Sequence, residues 1–564
     1  MNCSAAPTLL HHLVDRARAA VNEDGVHYKQ AGSWQRISYT HFAEQVAKLA
    51  CWMKSRAVQP GDRVLLVSEN GLPWMIADLA IQAIGAVCVP LHVTSPAVQL
   101  QSLSRRVAPR LALVSKASMA ASLSATGDSN PVPEVITFDD APTEAALPLA
   151  EILSRSDLAD PLEYLSKLAD ELDPATLATI VFTSGTSCEP RGVMLSHRNL
   201  CFAAEALVNS FGTAAARRRF VALPLSHLLA RTADFFCWTV MGGELAIISD
   251  PSQLMADLAQ IRPTYITGVP RLFARIAAGL EQNNLAKLPG ILPKVLGGEI
   301  RACTCGGAPL SEELAQFYAS RGVPLLEGYG LTEAAPVVSL NTTTSHKPKT
   351  VGQALPGTEI RLASDGEILV RGDHVMQGYW NDPTATAAAI QNGWLLTGDF
   401  GTIDNDGFLS ILGRKKEMLL TSGGRNVFPA TIEARLCEHP LLCHAMLVGD
   451  GKSSLAALLV VDTAQLSSLL PTSESLDIDQ LSSHPRVREL MAILVLESLA
   501  DRSPHEVPRR LHLLPGPWRD PQDRITPKGT LARGAMLDHY AAVIEQMYRE
   551  PIWPELVSRE RSAV

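Results

Sequence analysis

The chain has 564 residues and a formal net charge of −9, too long for one hydrophobic core and expected to hold two or three domains. Ordinary apolar content with scattered Gly and Pro excludes the disordered and fibrous classes, and an acidic balance without a long basic block argues against a nucleic-acid partner. No stretch reaches the ~18 uninterrupted apolar residues of a spanning helix, and the ten cysteines follow no framework spacing, so the expectation is a cytoplasmic protein whose only membrane contact would be peripheral.

The first segment, "MNCSAAPTLLHHLVDRARAA", lacks the basic-then-apolar order of a signal peptide and predicts a short amphipathic helix. In "HFAEQVAKLACWM", Phe42, Val46, Leu49, Ala50 and Met53 share one helical face. "DRVLLVSEN" reads as a buried strand, and "WMIADLAIQAIGAVCVPL" as a helix running into another strand. Residues 115–175 are Ser/Pro/acid-rich and read as a surface connection. From about Gly352 the texture turns to short strands and turns, and from about 415, after the charged "RKKE", strands and helices mix again. The fold class is therefore α/β. A large N-terminal domain spans 1–414, with a β-rich subdomain over about 352–412, and a small α+β C-terminal domain spans 415–564.

Between the apolar runs "ATIVF" and "VML" lies "TSGTSCEPRGV", Thr183 to Val193. Converging backbone N–H groups, hydroxyls and a cation are what hold phosphates. Gly185 and Gly192 permit close backbone approach, while Thr183, Ser184, Thr186 and Ser187 supply hydroxyls and Arg191 a charge. The P-loop order is absent, and Gly451–Ser453, the one Gly-Lys-Ser, falls in "AMLVGDGKSSLAALLVV", which reads as a hairpin. On composition alone, a polar surface loop explains Thr183–Val193 as well as phosphate binding does.

Further blocks follow in order: "PLSHLLAR" (224–231), "GVPRLF" (268–273), "CGGAPL" (305–310), "EGYGLTE" (327–333), "NGWLLTGDFGTIDNDGFLSILGRKKEM" (392–418), "GGRNVFPATIE" (423–433) and "ITPKGTLAR" (525–533). With the loop, they resemble the adenylate-forming superfamily of acyl-CoA synthetases, luciferases and peptide-synthetase adenylation domains. The 392–418 block is most similar to the signature of fatty acyl-CoA synthetases. The resemblance implies stacked α/β sheets with a β-barrel-like subdomain and a mobile C-terminal domain. It implies the substrates ATP, coenzyme A and a medium- or long-chain fatty acid, with Mg²⁺ as cofactor. It also implies roles. Gly306, Gly307 and Ala308 would flank adenine, with Tyr329 offering a ring face and Gly330 beside it. Thr332 would meet the α-phosphate, Glu333 would hold Mg²⁺, and Asp399 and Arg414 would bind ribose. Lys416 would be the hinge, and His227 would line the substrate pocket.

Three departures stand out. Ser187–Cys188 replaces the usual Thr-Gly pair of the phosphate loop, and Arg191 replaces its lysine, keeping the charge and adding a fork for two phosphate oxygens. In the common form PxxxxGKIxR the catalytic lysine precedes the arginine by three; counting back from Arg533 gives Thr530, so the role passes to Lys528. Two alternatives stay open: an acyl-AMP ligase that loads the pantetheine of an acyl carrier protein, and a non-catalytic acyl- or nucleotide-binding relative. Retention of Glu333, Asp399 and Arg414 argues against the second. "CTC", Cys303–Cys305, has no partner pair at zinc-site spacing and reads as a strand end leading into the adenine loop.

Overall fold

The structure is a computed structural model in which residues 6–20, 23–116, 118–119, 123, 134–139, 146–155, 158–183, 190–211, 217–469, 477–516 and 532–558 are described. Among them the strands form sheets of nine, eight, five, three and two strands.

The eight-stranded sheet is built on Arg63–Val67 and Val87–Leu91, parallel neighbours that continue to Leu111–Val114 on one side and Leu177–Thr183 on the other. The nine-stranded sheet is built on Arg218–Val221, Glu244–Ile247, Tyr265–Gly268, Ala302–Cys305 and Leu325–Gly330, also parallel. Side chains alternate across each strand. Val64 and Leu66 enter the main core, whereas Leu65 and Val67 enter a separate cluster on the opposite face. Val221, Leu245 and Ile247 likewise join the main core, while Phe220, Ala246 and Ile266 pack on the outer face of the nine-stranded sheet. The main core is filled by the helices Leu9–Ala19, Tyr39–Ser55, Leu72–Ala83 and His197–Phe211. Phe42, Val46, Leu49, Ala50 and Met53 all point into it, as their spacing requires. The N-terminal helix also buries its apolar face there, through Leu9, Leu10, Leu13 and Val14.

One segment departs from the sequence reading. Within 115–175 the structure has edge strands at Glu134–Thr137 and Leu147–Pro148 and helices at Leu149–Arg155 and Pro161–Glu171. Leu149, Ile152, Leu165 and Leu168 are buried. Each element contributes only a few apolar residues, so average composition hides the spacing that folds it.

The β-rich subdomain is not the barrel expected but an open five-stranded sheet of Glu359–Leu362, Glu367–Arg371, Ile390–Gln391, Trp394–Ile403 and Leu409–Arg414, since its outer strands do not pair with one another. The smaller C-terminal domain has its own core around the strands Leu442–Val448, Ala456–Asp462 and Arg510–Gly516. The first two form the predicted hairpin. Ala445, Leu447, Ala457 and Leu459 face the helices Pro429–Leu436 and Pro485–Ser498, and Met446, Val448, Leu458 and Val460 pack on the other side. This domain meets the larger one through an Arg435–Glu313 ion pair at 3.2 Å and a Phe400–Phe428 ring contact at 5.2 Å.

Candidate active site

The strands Leu177–Thr183 and Arg191–Ser196 run antiparallel, with Thr183 opposite Arg191. They bring together the two stems of the predicted phosphate loop; Ser184, Gly185, Thr186, Ser187 and Cys188 lie outside the described residues. Arg106, at the end of the helix Ala97–Val107, spans both stems. Its guanidinium lies 5.3 Å from the Phe182 ring centre and donates to the Pro190 carbonyl at 2.6 Å. Sequence reasoning missed this residue because its partner is 84 positions away.

The two-residue strand Gly378–Tyr379 pairs with Val193 and Met194 and so places Tyr379 beside the second stem. Arg191 lies over the Tyr379 ring, 5.3 Å from its centre, and 3.8 Å from the Asp382 carboxylate. The Tyr379 hydroxyl donates to Glu333 Oε1 at 2.9 Å. Thr332 and Glu333 sit on the single 3₁₀ turn Thr332–Ala334, pinned by a bond from Met376 N–H to the Glu333 carbonyl at 2.9 Å. Gly330 makes the approach to this turn feasible, since a Cβ there would fall 1.8 Å from the Pro336 carbonyl oxygen. Glu333 Oε2 has no hydrogen-bond partner among the described residues. A half-buried carboxylate with one oxygen free among the described residues, beside the Arg191 strand, is a donor that fits Mg²⁺, which takes one or two carboxylates and completes its shell with other oxygens and water.

"CTC" is the strand end expected: the buried strand Ala302–Cys305 leads into Gly306, Gly307 and Ala308. Gly306 N–H donates to the Gly268 carbonyl at 3.2 Å. Gly307 adopts φ +80°, and no atom lies nearer than 3.9 Å to where its Cβ would stand. The result is a bare backbone edge. Below it Glu327 accepts from Leu310 N–H at 3.1 Å, and burial pushes its carboxyl up to about 7.

Asp399 and Arg414 are cross-strand partners in the strands Trp394–Ile403 and Leu409–Arg414. Arg414 Nε lies 2.9 Å from Asp399 Oδ1, and the Tyr329 hydroxyl donates to Oδ2 at 2.6 Å. Asp399 is 2% exposed. Burial pushes its carboxyl above the ordinary value, while the Arg414 charge and the Tyr329 hydrogen bond pull it back. A carboxylate has about four acceptor sites, so two partners leave room for more.

His227 precedes the short helix Leu228–Ala230 and accepts from Leu229 N–H at 3.3 Å. The Leu229 side chain lies 3.7 Å from the Cβ position of Gly306, which sets the "PLSH" turn against the Gly306–Ala308 edge. Two residues that sequence reasoning missed brace this turn. Asn70 bonds Leu223 and Leu225 at 2.9 and 2.8 Å, and His92 Nδ1 meets Ser226 Oγ at 2.8 Å. The turn leads into the π-helical stretch Arg231–Phe236. Arg231 there makes a fully buried pair with Asp78 at 2.5 Å and also donates to Thr179. Phe235, Phe236 and Trp238 are wholly buried in the main core.

Lys416 is exposed on the turn Lys415–Glu417, and its neighbour Lys415 is tied to Asp365 and Glu367 at 2.8 and 2.7 Å. Lys528 and Thr530 lie outside the described residues.

Residues 15–380 match the family "AMP-binding enzyme" and residues 416–551 the "AMP-binding enzyme C-terminal domain". The chain belongs to the AMP-binding enzyme family. This AMP-binding enzyme is 33% identical to the long-chain-fatty-acid–CoA ligase FadD15 of Mycobacterium bovis, over 92% of this chain and 93% of that one. It is 32% identical to the feruloyl-CoA synthase of an Amycolatopsis species, over 72% and 78% of the two chains. Its fold matches the crystal structure of the anthranilate CoA ligase AuaEII in complex with anthranoyl-AMP, with a TM-score of 0.78 at 17% identity over 95% and 98%. Among the described residues of this AMP-binding enzyme, no helix is long and apolar enough to cross a membrane.

Proposed function

We propose that this chain activates a fatty carboxylic acid with ATP and passes the acyl group to coenzyme A. In the first half-reaction a carboxylate oxygen bonds to the α-phosphorus, and the bond to the bridging oxygen breaks, giving acyl-AMP and pyrophosphate. In the second the thiol sulfur bonds to the acyl carbon, the acyl–phosphate C–O bond breaks and AMP leaves, with the thiol proton passing to solvent. The fatty-acid assignment rests on the ligase relative that matches 92% of the chain.

The observation that supports the reading is that one segment, Leu325–Ala334, links two separately built carboxylate sites: Tyr329 bonds Asp399, Glu333 accepts from Tyr379 beside the Arg191 strand, and the Gly328 carbonyl lies 3.5 Å from the Gly306 Cβ position. Asp399, braced by Tyr329 and Arg414, accepts from ribose hydroxyls, and the Gly306–Ala308 edge lies along adenine. Arg191 and the loop hydroxyls of Thr183 to Ser187 neutralise and orient the phosphates. Thr332 hydrogen-bonds the α-phosphate. Glu333 would hold Mg²⁺, which when bound would supply charge neutralisation. Positioning and electrostatics account for most of the work in phosphoryl transfer. His227 lines the acid pocket. Lys528 enters with the C-terminal domain for the first half-reaction. That domain turns about Lys416, at a junction between Arg414 and Lys415.

The test is acid-dependent exchange of labelled pyrophosphate into ATP, together with thioester formation from coenzyme A. The acid panel should include medium- and long-chain fatty acids and aromatic acids such as ferulate. Exchange and thioester formation with fatty acids are expected. Turnover confined to aromatic acids would overturn the substrate class, and exchange without thioester formation would overturn coenzyme A as the acceptor.

A further inference from the structure

The N-terminal helix Leu9–Ala19 lies against the helix His197–Phe211. Cys201 and Glu205 are four residues apart on the latter and therefore share one face. His12 reaches the same point from the former. The ring nitrogen of His12, the Cys201 sulfur and a Glu205 oxygen all lie within 4.8 Å of one another. His12 Nε2 and Glu205 Oε1 are already 3.0 Å apart. Donors on a tetrahedral zinc ion with these ligand types stand roughly 3–4 Å apart, so small rotations of His12 and Glu205 complete the geometry.

We propose that His12, Cys201 and Glu205 form a binding site for a divalent transition-metal ion of the zinc class, clasping the N-terminal helix to the body of the protein. The donor set is the first argument. One thiolate, one imidazole and one carboxylate suit zinc or its neighbours, whereas Mg²⁺ and Ca²⁺ select all-oxygen shells. Access is the second. Cys201 is fully buried, but the His12 and Glu205 side chains are 24% and 27% exposed, so an ion can enter from solvent and keep a water as fourth ligand. Location is the third. Arg16, one helical turn beyond His12, already donates to the Val240 carbonyl at 2.7 Å, so a metal at His12 adds a second tie along one helix. Without metal, the same three groups are held together by the His12–Glu205 pair and a Cys201–Glu205 hydrogen bond. On binding, Cys201 coordinates as thiolate, and its proton passes to solvent.

The test uses the full chain stripped of metal and titrated with Zn²⁺ by calorimetry and with Co²⁺ by absorbance, without nucleotide. One equivalent of each is expected to bind. The Co²⁺ form should show a thiolate-to-cobalt charge-transfer band that Cys201→Ser abolishes and Cys437→Ser retains. His12→Ala and Glu205→Gln should each weaken Zn²⁺ binding by roughly tenfold or more. Zn²⁺ should also raise the melting temperature of the parent but not of His12→Ala. Absence of stoichiometric binding, or parent-like binding in His12→Ala, would overturn the proposal. If Cys201→Ser does not fold, His12→Ala decides alone, because that side chain is partly exposed.

Discussion

Tyr379→Phe isolates one contact of the proposed metal carboxylate. The ring remains, so Arg191 keeps its stacking surface, and only the hydroxyl that donates to Glu333 at 2.9 Å is removed. Tyr379 is 9% exposed, which limits replacement of the lost donor by water. A hydrogen bond to a charged acceptor contributes about 1.5–3 kcal/mol. Glu333 is only partly buried and can recover some solvation, so about 1.5 kcal/mol is the reasonable expectation, or roughly tenfold in rate. The assay is pyrophosphate exchange at varied Mg²⁺ and ATP. The apparent affinity for Mg·ATP should fall with the rate, because a swinging carboxylate holds the ion less well. Tyr379→Ala also removes the Arg191 platform and should lose more. Wild-type exchange and Mg²⁺ dependence in Tyr379→Phe would refute the reasoning and take Tyr379 out of the site.

Asp78→Ala strands the Arg231 guanidinium in a fully buried position with Thr179 as a remaining partner; breaking such a pair costs about 3–5 kcal/mol, and an unchanged calorimetric melting temperature would refute it. Glu327 titrates near 7 in the folded chain against an ordinary 4.5, so the stability from its protonated form is full below about pH 4.5 and lost as pH rises through 7. Glu327→Gln should therefore gain on the parent between pH 5 and 8 by about 3 kcal/mol at most, and parallel denaturation curves across that range would contradict the assignment. Lys528→Ala should slow acyl-AMP formation on the order of 10²–10³-fold while sparing thioester formation from supplied acyl-AMP. Thr530→Ala should leave both half-reactions nearly intact. Normal adenylation by Lys528→Ala would remove that lysine from the reaction.

Local features of the fold were legible because period and spacing are local. The core face of Tyr39–Ser55, the alternation in Arg63–Val67 and the Leu442–Asp462 hairpin all follow from neighbours within a few residues. Asp399 and Arg414 were legible as motif residues, and the sheet register that pairs them lies within one block. Tyr379 and Arg106 were not, since each acquires its meaning only through partners 46 and 84 positions away. Asp78 lies inside the apolar stretch "WMIADLAIQAIGAVCVPL", and its counter-ion is 153 residues distant. The His12–Cys201–Glu205 constellation escaped for the same reason, as no spacing rule links residue 12 to residue 201. The 115–175 segment failed differently. Its strands and helices are short and polar on one side, and composition outweighed a pattern only a turn or two long.

The contacts described between the two domains have a mechanical consequence. The Arg435–Glu313 bridge is solvent-facing and the Phe400–Phe428 contact is a single ring pair, together on the order of 1–2 kcal/mol. Glu438 crowds the same guanidinium at 2.5 Å, and burial together with the Glu313 charge pushes its carboxyl up to about 7. Such a seat behaves as a spring catch, not a weld. A ligand that favours another orientation by only a few kcal/mol outweighs these two contacts, while the Lys415 ties to Asp365 and Glu367 keep the junction itself in place.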